Sequence, residues 1–223
     1  EWTADAGGDG NYVVADRAIT FTDASHVRSV NSFATPLIIR ATLDKTDYCS
    51  NHYIKLSTEP WDEGRGYSYD PGVVTFSWWC SYREINSQTG YDSTNCAKER
   101  MYDIEITVDG STVTWSDAEG ACDELVLQDA IGSSERLYVY VGADTYHSTA
   151  WHSVEICRWL LAPTAAPTTA MPSASPTITP VPSASPAPTT ECFVEDEFEG
   201  TSLGSQWTDR AGGDGSYVVA DGH

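Results

Sequence analysis

The first eighteen residues of this 223-residue chain return, nearly unchanged, as its last eighteen. Trp2-Thr3, Ala6-Gly7-Gly8-Asp9-Gly10 and Tyr12-Val13-Val14-Ala15-Asp16 recur from Trp207 to Asp221 at an offset of 205, with 12 of 18 positions identical. Chance does not produce such a match. The chain reads as one period of a tandem repeat and the opening of the next copy, so its fold must be one that can succeed itself along a string. Strings of near-identical modules are commonly fibres, adhesins or scaffolds.

Residues 162–190 are a different material: 8 Pro, 7 Thr, 4 Ser and 7 Ala, with no charged or aromatic residue. Proline fixes φ and removes amide donors, so this tract is expected to be extended and to build no core. Its composition is that of an O-glycosylated stalk, which places covalent glycans on Thr164, Thr168, Thr169, Ser173, Ser175, Thr177, Thr179, Ser183, Ser185, Thr189 and Thr190. A bare linker is the alternative. Asn11, Asn31, Asn51, Asn86 and Asn95 all lack the hydroxyl two residues on, so N-linked sugar is not expected.

A formal charge of −21 sets the partners. Nucleic acid is not expected, because its phosphates need Lys and Arg to displace their counterions. No run approaches the ~20 apolar residues of a membrane span. Cys49, Cys80, Cys96, Cys122, Cys157 and Cys192 contain no CxxC pair, which disfavours zinc. Their even number points to disulfides, and hence to an extracellular or cell-surface setting.

Residues 1–160 read as short strands. Ala18–Thr22, Leu37–Leu43, His52–Ser57, Val73–Trp79, Leu137–Val141 and Trp151–Cys157 are rich in β-branched and aromatic residues, and no segment has convincing helical periodicity. The clearest hairpin runs from Tyr102 to Trp115 and turns at Asp109-Gly110. Within it Tyr102, Ile104, Ile106 and Val108 share one face, and Asp103, Glu105 and Thr107 the other. Many closely spaced strands predict an all-β sandwich or jelly roll.

Two segments carry a resemblance. Phe198-Glu199-Gly200-Thr201-Ser202-Leu203 with Trp207 resembles the opening strand and turn of concanavalin A-like lectin and glucanase domains. The hairpin Tyr102–Trp115 resembles a late strand pair of the same superfamily. The resemblance implies an antiparallel two-sheet jelly roll, in a superfamily that includes laminin G-like modules, lectins and glucanases. It does not choose among their functions.

The residues argue against the enzymes. The glucanases place Glu, Asp and Glu in a fixed order on one strand; here Asp103, Glu105 and Asp109 stand in the wrong order, and Asp109 serves the turn. A solvated strand face explains them, so no catalysis is expected. Calcium is the ion the resemblance brings in, with Asp9, Asp44, Asp47 and Asp123 as candidates, although none lies in a diagnostic loop and no cofactor is assigned. His147 and His152 could flank a metal but read more simply as surface histidines. Trp61, Trp78 and Trp79 are candidates for stacking on sugar; Trp78 and Trp79 are adjacent, so a strand sends them to opposite faces and one belongs to the core.

The repeat also sets a phase. If each module opens at the Cys192-type residue, then 1–160 is a jelly-roll domain without its own first strand, 161–191 is the linker, and 192–223 begins the next module. Phe193, Val194, Phe198, Leu203 and Trp207 form the expected joining strand, which serves either a covalent successor or a neighbouring protomer. Cys80–Cys96, Cys157–Cys192 and Cys49–Cys122 are the expected bridges, one of 15 connectivities. The expected function is that of a structural subunit of an extracellular fibre assembled head to tail from itself. The alternative is a multivalent lectin, in which repetition turns weak sugar affinity into avidity.

Overall fold

The computed structural model describes residues 2–5, 12–15, 17–21, 25–44, 51–60, 70–96, 101–117, 119–132, 136–143, 149–160, 189–196 and 207–209. Seventeen strands occupy them, and no helix. In chain order these are β1 (Trp2–Asp5), β2 (Tyr12–Ala15), β3 (Ala18–Phe21), β4 (Ser25–Ser29), β5 (Phe33–Ala34), β6 (Leu37–Asp44), β7 (His52–Ser57), β8 (Val73–Trp79) and β9 (Tyr82–Ser87). They continue with β10 (Gly90–Asn95), β11 (Met101–Asp109), β12 (Thr112–Asp117), β13 (Leu125–Leu127), β14 (Arg136–Ala143), β15 (Thr149–Leu160), β16 (Thr189–Asp196) and β17 (Trp207–Asp209).

The strands form two sheets. One has nine strands in the order β10-β9-β8-β7-β14-β4-β1-β17, with β5 also on β14. The other has eight, in the order β13-β12-β11-β6-β15-β3-β2, with β16 also on β15. Among the described residues every pairing is antiparallel except one. Strand β17 lies parallel to β1, with Trp2 opposite Trp207 and Thr3 opposite Thr208, so the two copies of the repeated segment stand side by side in register.

Alternation explains why these residues become sheets. Along β11, Tyr102, Ile104, Ile106 and Val108 are buried, while Asp103, Glu105 and Thr107 face away from the core. The outward residues then pair across strands: Glu105 takes Arg40 Nε at 2.9 Å, and Thr42 Oγ1 donates to Asp103 at 2.8 Å. The hairpin closes at the pair Asp109–Thr112, so its two-residue turn is Gly110-Ser111, one position later than expected from sequence. Gly110 sits at φ 60°, which a glycine adopts without the steric cost of a Cβ.

The core lies between the sheets, and aromatics dominate one end of it. Trp78 of β8 meets Trp115 of β12 edge-on at 4.1 Å, with Phe76 and Trp151 around them. Arg83, only 1% exposed, holds its guanidinium 4.9 Å from the Trp115 ring centroid and donates to the Asp123 carbonyl. At the same end the Asp92 carboxylate of β10 accepts from the Val126 amide of β13 at 2.9 Å, which ties one sheet to the other.

The disulfides correct the expected pairing of Cys80 with Cys96. Cys96 is buried and bonds to Cys122. Strand parity is the reason: Thr94 and Arg83 are register partners on the core side, and Cys96 shares that side, whereas Cys80 sits in the β8–β9 turn at φ 57°. The expected pairing of Cys122 with Cys49 falls with it. Cys80 is itself disulfide-bonded, and Cys49 lies outside the described residues. Cys157 and Cys192 are bonded to each other, as expected.

Candidate functional site

Two surfaces bear on function. The first is the strand after the Pro/Thr/Ser tract. Strand β15 is twelve residues long, and its β3-side edge is shared: β3 pairs with Thr149–Trp151 and β16 with Val154–Leu160. Without β16 that second half would present unpaired backbone to solvent. The contacts are local and specific. Phe193 stacks on Phe33 at 5.8 Å, and the Arg158 guanidinium sits over the Phe193 ring at 5.3 Å while bonding Glu191 at 2.6 Å. The disulfide joins residues directly opposite in the register, next to a bulge between Ile156 and Cys157.

The strand begins at Thr189 and so includes residues 189–191 of the expected linker, with Thr189 and Thr190 opposite Leu160 and Trp159. Residues 192–196 of the expected joining segment pair with β15 of the 1–160 region. Among the expected joining residues, Phe193 and Val194 lie in β16 and Trp207 in β17; Phe198 and Leu203 lie outside the described residues.

The second surface is the side of the nine-stranded sheet that faces away from the core. On β8, Val74, Phe76 and Trp78 point inward, and Thr75, Ser77 and Trp79 outward. Trp79 is 62% exposed and stands directly opposite Tyr82, whose hydroxyl meets that of Tyr91, itself 54% exposed. These three rings form an aromatic platform at the β8-β9-β10 edge. Trp78 is 1% exposed in the core and cannot reach a sugar, which removes it from the candidates named from sequence. Trp61 lies outside the described residues.

Next to the platform the register builds a polar row: Arg28 opposite Tyr140, Tyr140 opposite Lys55, Lys55 opposite Thr75. Lys55 Nζ lies 4.1 Å from the Tyr53 ring centroid, Arg28 faces the Tyr138 ring at 5.4 Å, and His26 meets Tyr140 edge-on at 5.6 Å. Ser77 donates to Glu84 at 2.9 Å. The chain after β7 folds over part of this row, and the Glu59 carbonyl accepts from Ser57 Oγ at 2.7 Å and from the Tyr140 hydroxyl at 3.5 Å. Burial, then the charges of Lys55 and Arg28, push the pKa of His26 down to about 3. Sequence reasoning missed this row. Its signal is the pattern Tyr53-x-Lys55-x-Ser57 and Tyr138-x-Tyr140, which sets aromatic and basic residues at alternate positions of two neighbouring strands.

Of the calcium candidates, Asp44 ends β6 and the Asp123 carbonyl accepts from Arg83, while Asp9 and Asp47 lie outside the described residues. Among the described residues the one cluster of ligand type is Glu155, Cys157 and Cys192, and its two sulfurs are engaged in the disulfide. His152 lies half-buried on β15, and His147 is outside the described residues.

No protein-family model matches the chain, and no curated protein sequence does. Solved structures do. A Bacillus subtilis protein of unknown function with a galectin-like fold aligns over 70% of this chain and 88% of its own, at TM-score 0.50 and 9% identity. The shared fold is a galectin-like jelly roll of two antiparallel sheets. The carbohydrate-binding module CBM66 from Bacillus subtilis aligns at TM-score 0.48 and 11% identity, over 70% of this chain and 94% of its own. A Bacillus licheniformis β-glucanase aligns at TM-score 0.44 and 8% identity, over 67% and 88%. Identities this low speak to architecture alone, so function has to be argued from this jelly roll's own surfaces.

Proposed function

We propose that this chain is a repeat unit of an extracellular glycoprotein fibre or filament, in which jelly-roll modules succeed one another head to tail and the Pro/Thr/Ser tract carries O-linked sugar. The pairing of β16 with β15 carries this reading. A strand that lies beyond the tract completes the eight-stranded sheet and is locked there by Cys157–Cys192. Such a segment fastens the chain on the far side of the tract to the sheet on the near side, which a joint between repeats requires. The recurrence of the opening residues from Trp207 supports tandem repetition. The disulfides fit an oxidising compartment, and no described helix is long and apolar enough to cross a membrane. Electron microscopy of the native material tests the reading: filaments with a regular axial repeat are expected, and dispersed monomers sink it.

A specific observation favours a second reading, carbohydrate binding. The platform of Trp79, Tyr82 and Tyr91 offers exposed rings on which sugar faces can stack. Binding on a glycan array, lost in Trp79→Ala with the fold intact, is the expected result; binding unchanged by that substitution removes the platform from the account. Catalysis is not part of either reading. Asp103 and Glu105 are engaged by Thr42 and Arg40, and β-glucan hydrolysis that disappears in Glu105→Gln would overturn this assignment.

A further inference from the structure

We propose that Thr189–Asp196 is an exchangeable strand: the slot it fills along β15 of its own chain also accepts the same strand from a second copy, and the Cys157–Cys192 bond then forms between the two chains. The proposal deepens the head-to-tail reading and rests on it for its setting.

Leu160 and Thr189 are direct register partners, yet 28 residues separate them. A β-hairpin needs about two to five. A short turn would commit β16 to its own β15, because loop closure is easiest for short loops. The long connection weakens that commitment. At ~3.1 Å per residue, a Pro-rich chain of this length reaches roughly 90 Å, far enough for a tethered strand to find a neighbouring copy. The tract is therefore long enough for either destination.

Among the described residues, recognition of β16 is self-contained. Its contacts run from residues 189–196 to Phe33 and to Val154–Leu160: the backbone register, the Phe193–Phe33 stack, the Arg158–Glu191 ion pair and the disulfide. None of these involves residues 161–188. A strand of the same sequence entering from another copy makes the same set, and it satisfies the same half of β15.

The covalent step balances without an outside oxidant. The Cys192 thiolate of an incoming strand, from a chain whose own Cys157–Cys192 bond has not yet formed, attacks Cys157 Sγ of the resident disulfide. The new Cys157–Cys192 bond forms, the old one breaks, and the displaced Cys192 leaves as a thiolate that takes up a proton. The number of thiols and disulfides is unchanged.

Complementary full-length variants test this. Cys157→Ala and Cys192→Ala each lack the bond within the chain, so only a bond between chains can restore it. The two are prepared with different isotope labels, mixed, reduced, and reoxidised with oxidised glutathione, which takes the two electrons and two protons and leaves as two thiols. The expected product is a covalent heterodimer in which a Cys157 peptide of one label is linked to a Cys192 peptide of the other. Monomers alone, with circular dichroism showing folded chains, overturn the proposal. A second variant deletes residues 161–188 and joins Leu160 to Thr189, leaving no room for a turn. Sedimentation is expected to show dimers or longer species, and a monomeric product overturns the proposal. A heterodimer without native filaments would remove the fibre and leave the exchange; filaments without a heterodimer would do the reverse.

Discussion

Trp78 and Trp115, on facing sheets, meet edge-on with ring centroids 4.1 Å apart, and the Arg83 guanidinium covers the second ring from 4.9 Å. The arrangement joins the two halves of the sandwich where β8, β9 and β12 converge. Replacing Trp115 with Ala removes a fully buried indole, which typically costs about 3–5 kcal/mol, and urea denaturation should show a loss of that size.

Arg83 is the charged member of the same cluster. Burial lowers its pKa, and the nearby Asp117, Tyr102 and Asp123 oppose that shift. Arg83→Ala removes the cation whose field the buried Asp117 carboxylate feels and strands the Asp123 carbonyl. Breaking a buried ionic group in this way commonly costs about 3–5 kcal/mol. The double variant Arg83→Met with Asp117→Leu should recover part of the loss in the same denaturation experiment.

His26 gives a pH dependence with a definite sign. Its pKa is about 3 when folded against 6.5 ordinarily, so between these values the unfolded chain binds a proton that the folded chain refuses. The folded state keeps its full stability above about pH 6.5 and loses it as pH falls toward 3, with a limiting slope of ~1.4 kcal/mol per pH unit from this one group. Unfolding free energies measured across that window should fall less steeply for His26→Gln than for the parent.

Loss of the Cys157–Cys192 bridge should destabilise the module by about 2–5 kcal/mol, as for a native disulfide in a secreted domain. Thermal unfolding of Cys157→Ala monomers, compared with the parent, checks the size. An unchanged midpoint would mean that β16 contributes little to the folded module.

Gly72 is a local test of the β7–β8 connection. It sits at φ 75°, and an added Cβ would lie 2.3 Å from Thr58 Oγ1. Gly72→Ala therefore meets both a strained backbone and a clash, and it should cost more than the ~1 kcal/mol scale of an ordinary glycine exchange. Gly110→Ala, where nothing lies within 4 Å, isolates the backbone contribution.

The parts of the fold that can be read from sequence are those where one principle acts alone. Strand β11 alternates from Tyr102 to Val108 and leads into Gly110, so both its faces are visible in the residues and its turn is located to within one position. Strands β9 and β10 are not, because their core-facing positions include Arg83, Ser87 and Asp92, which belong inside only once Trp115, Thr89 and Val126 are in place. The disulfides divide in the same way. Cys157 and Cys192 emerge from the repeat phase, while Cys96 finds Cys122 through a strand parity that spacing does not reveal. The aromatic platform is half legible: adjacency separates Trp78 from Trp79, but Tyr82 and Tyr91 join Trp79 only through the register of β8, β9 and β10.

The cross-strand bond between Cys157 and Cys192 has a mechanical consequence. Tension entering at one end of the chain and leaving at the other would pass from β15 to β16 through two sulfur atoms and bypass the residues between them. While that bond holds, the proline-rich tract bears no load. Once it is reduced, the tract becomes slack that the chain can release, on the order of 90 Å for each module that opens.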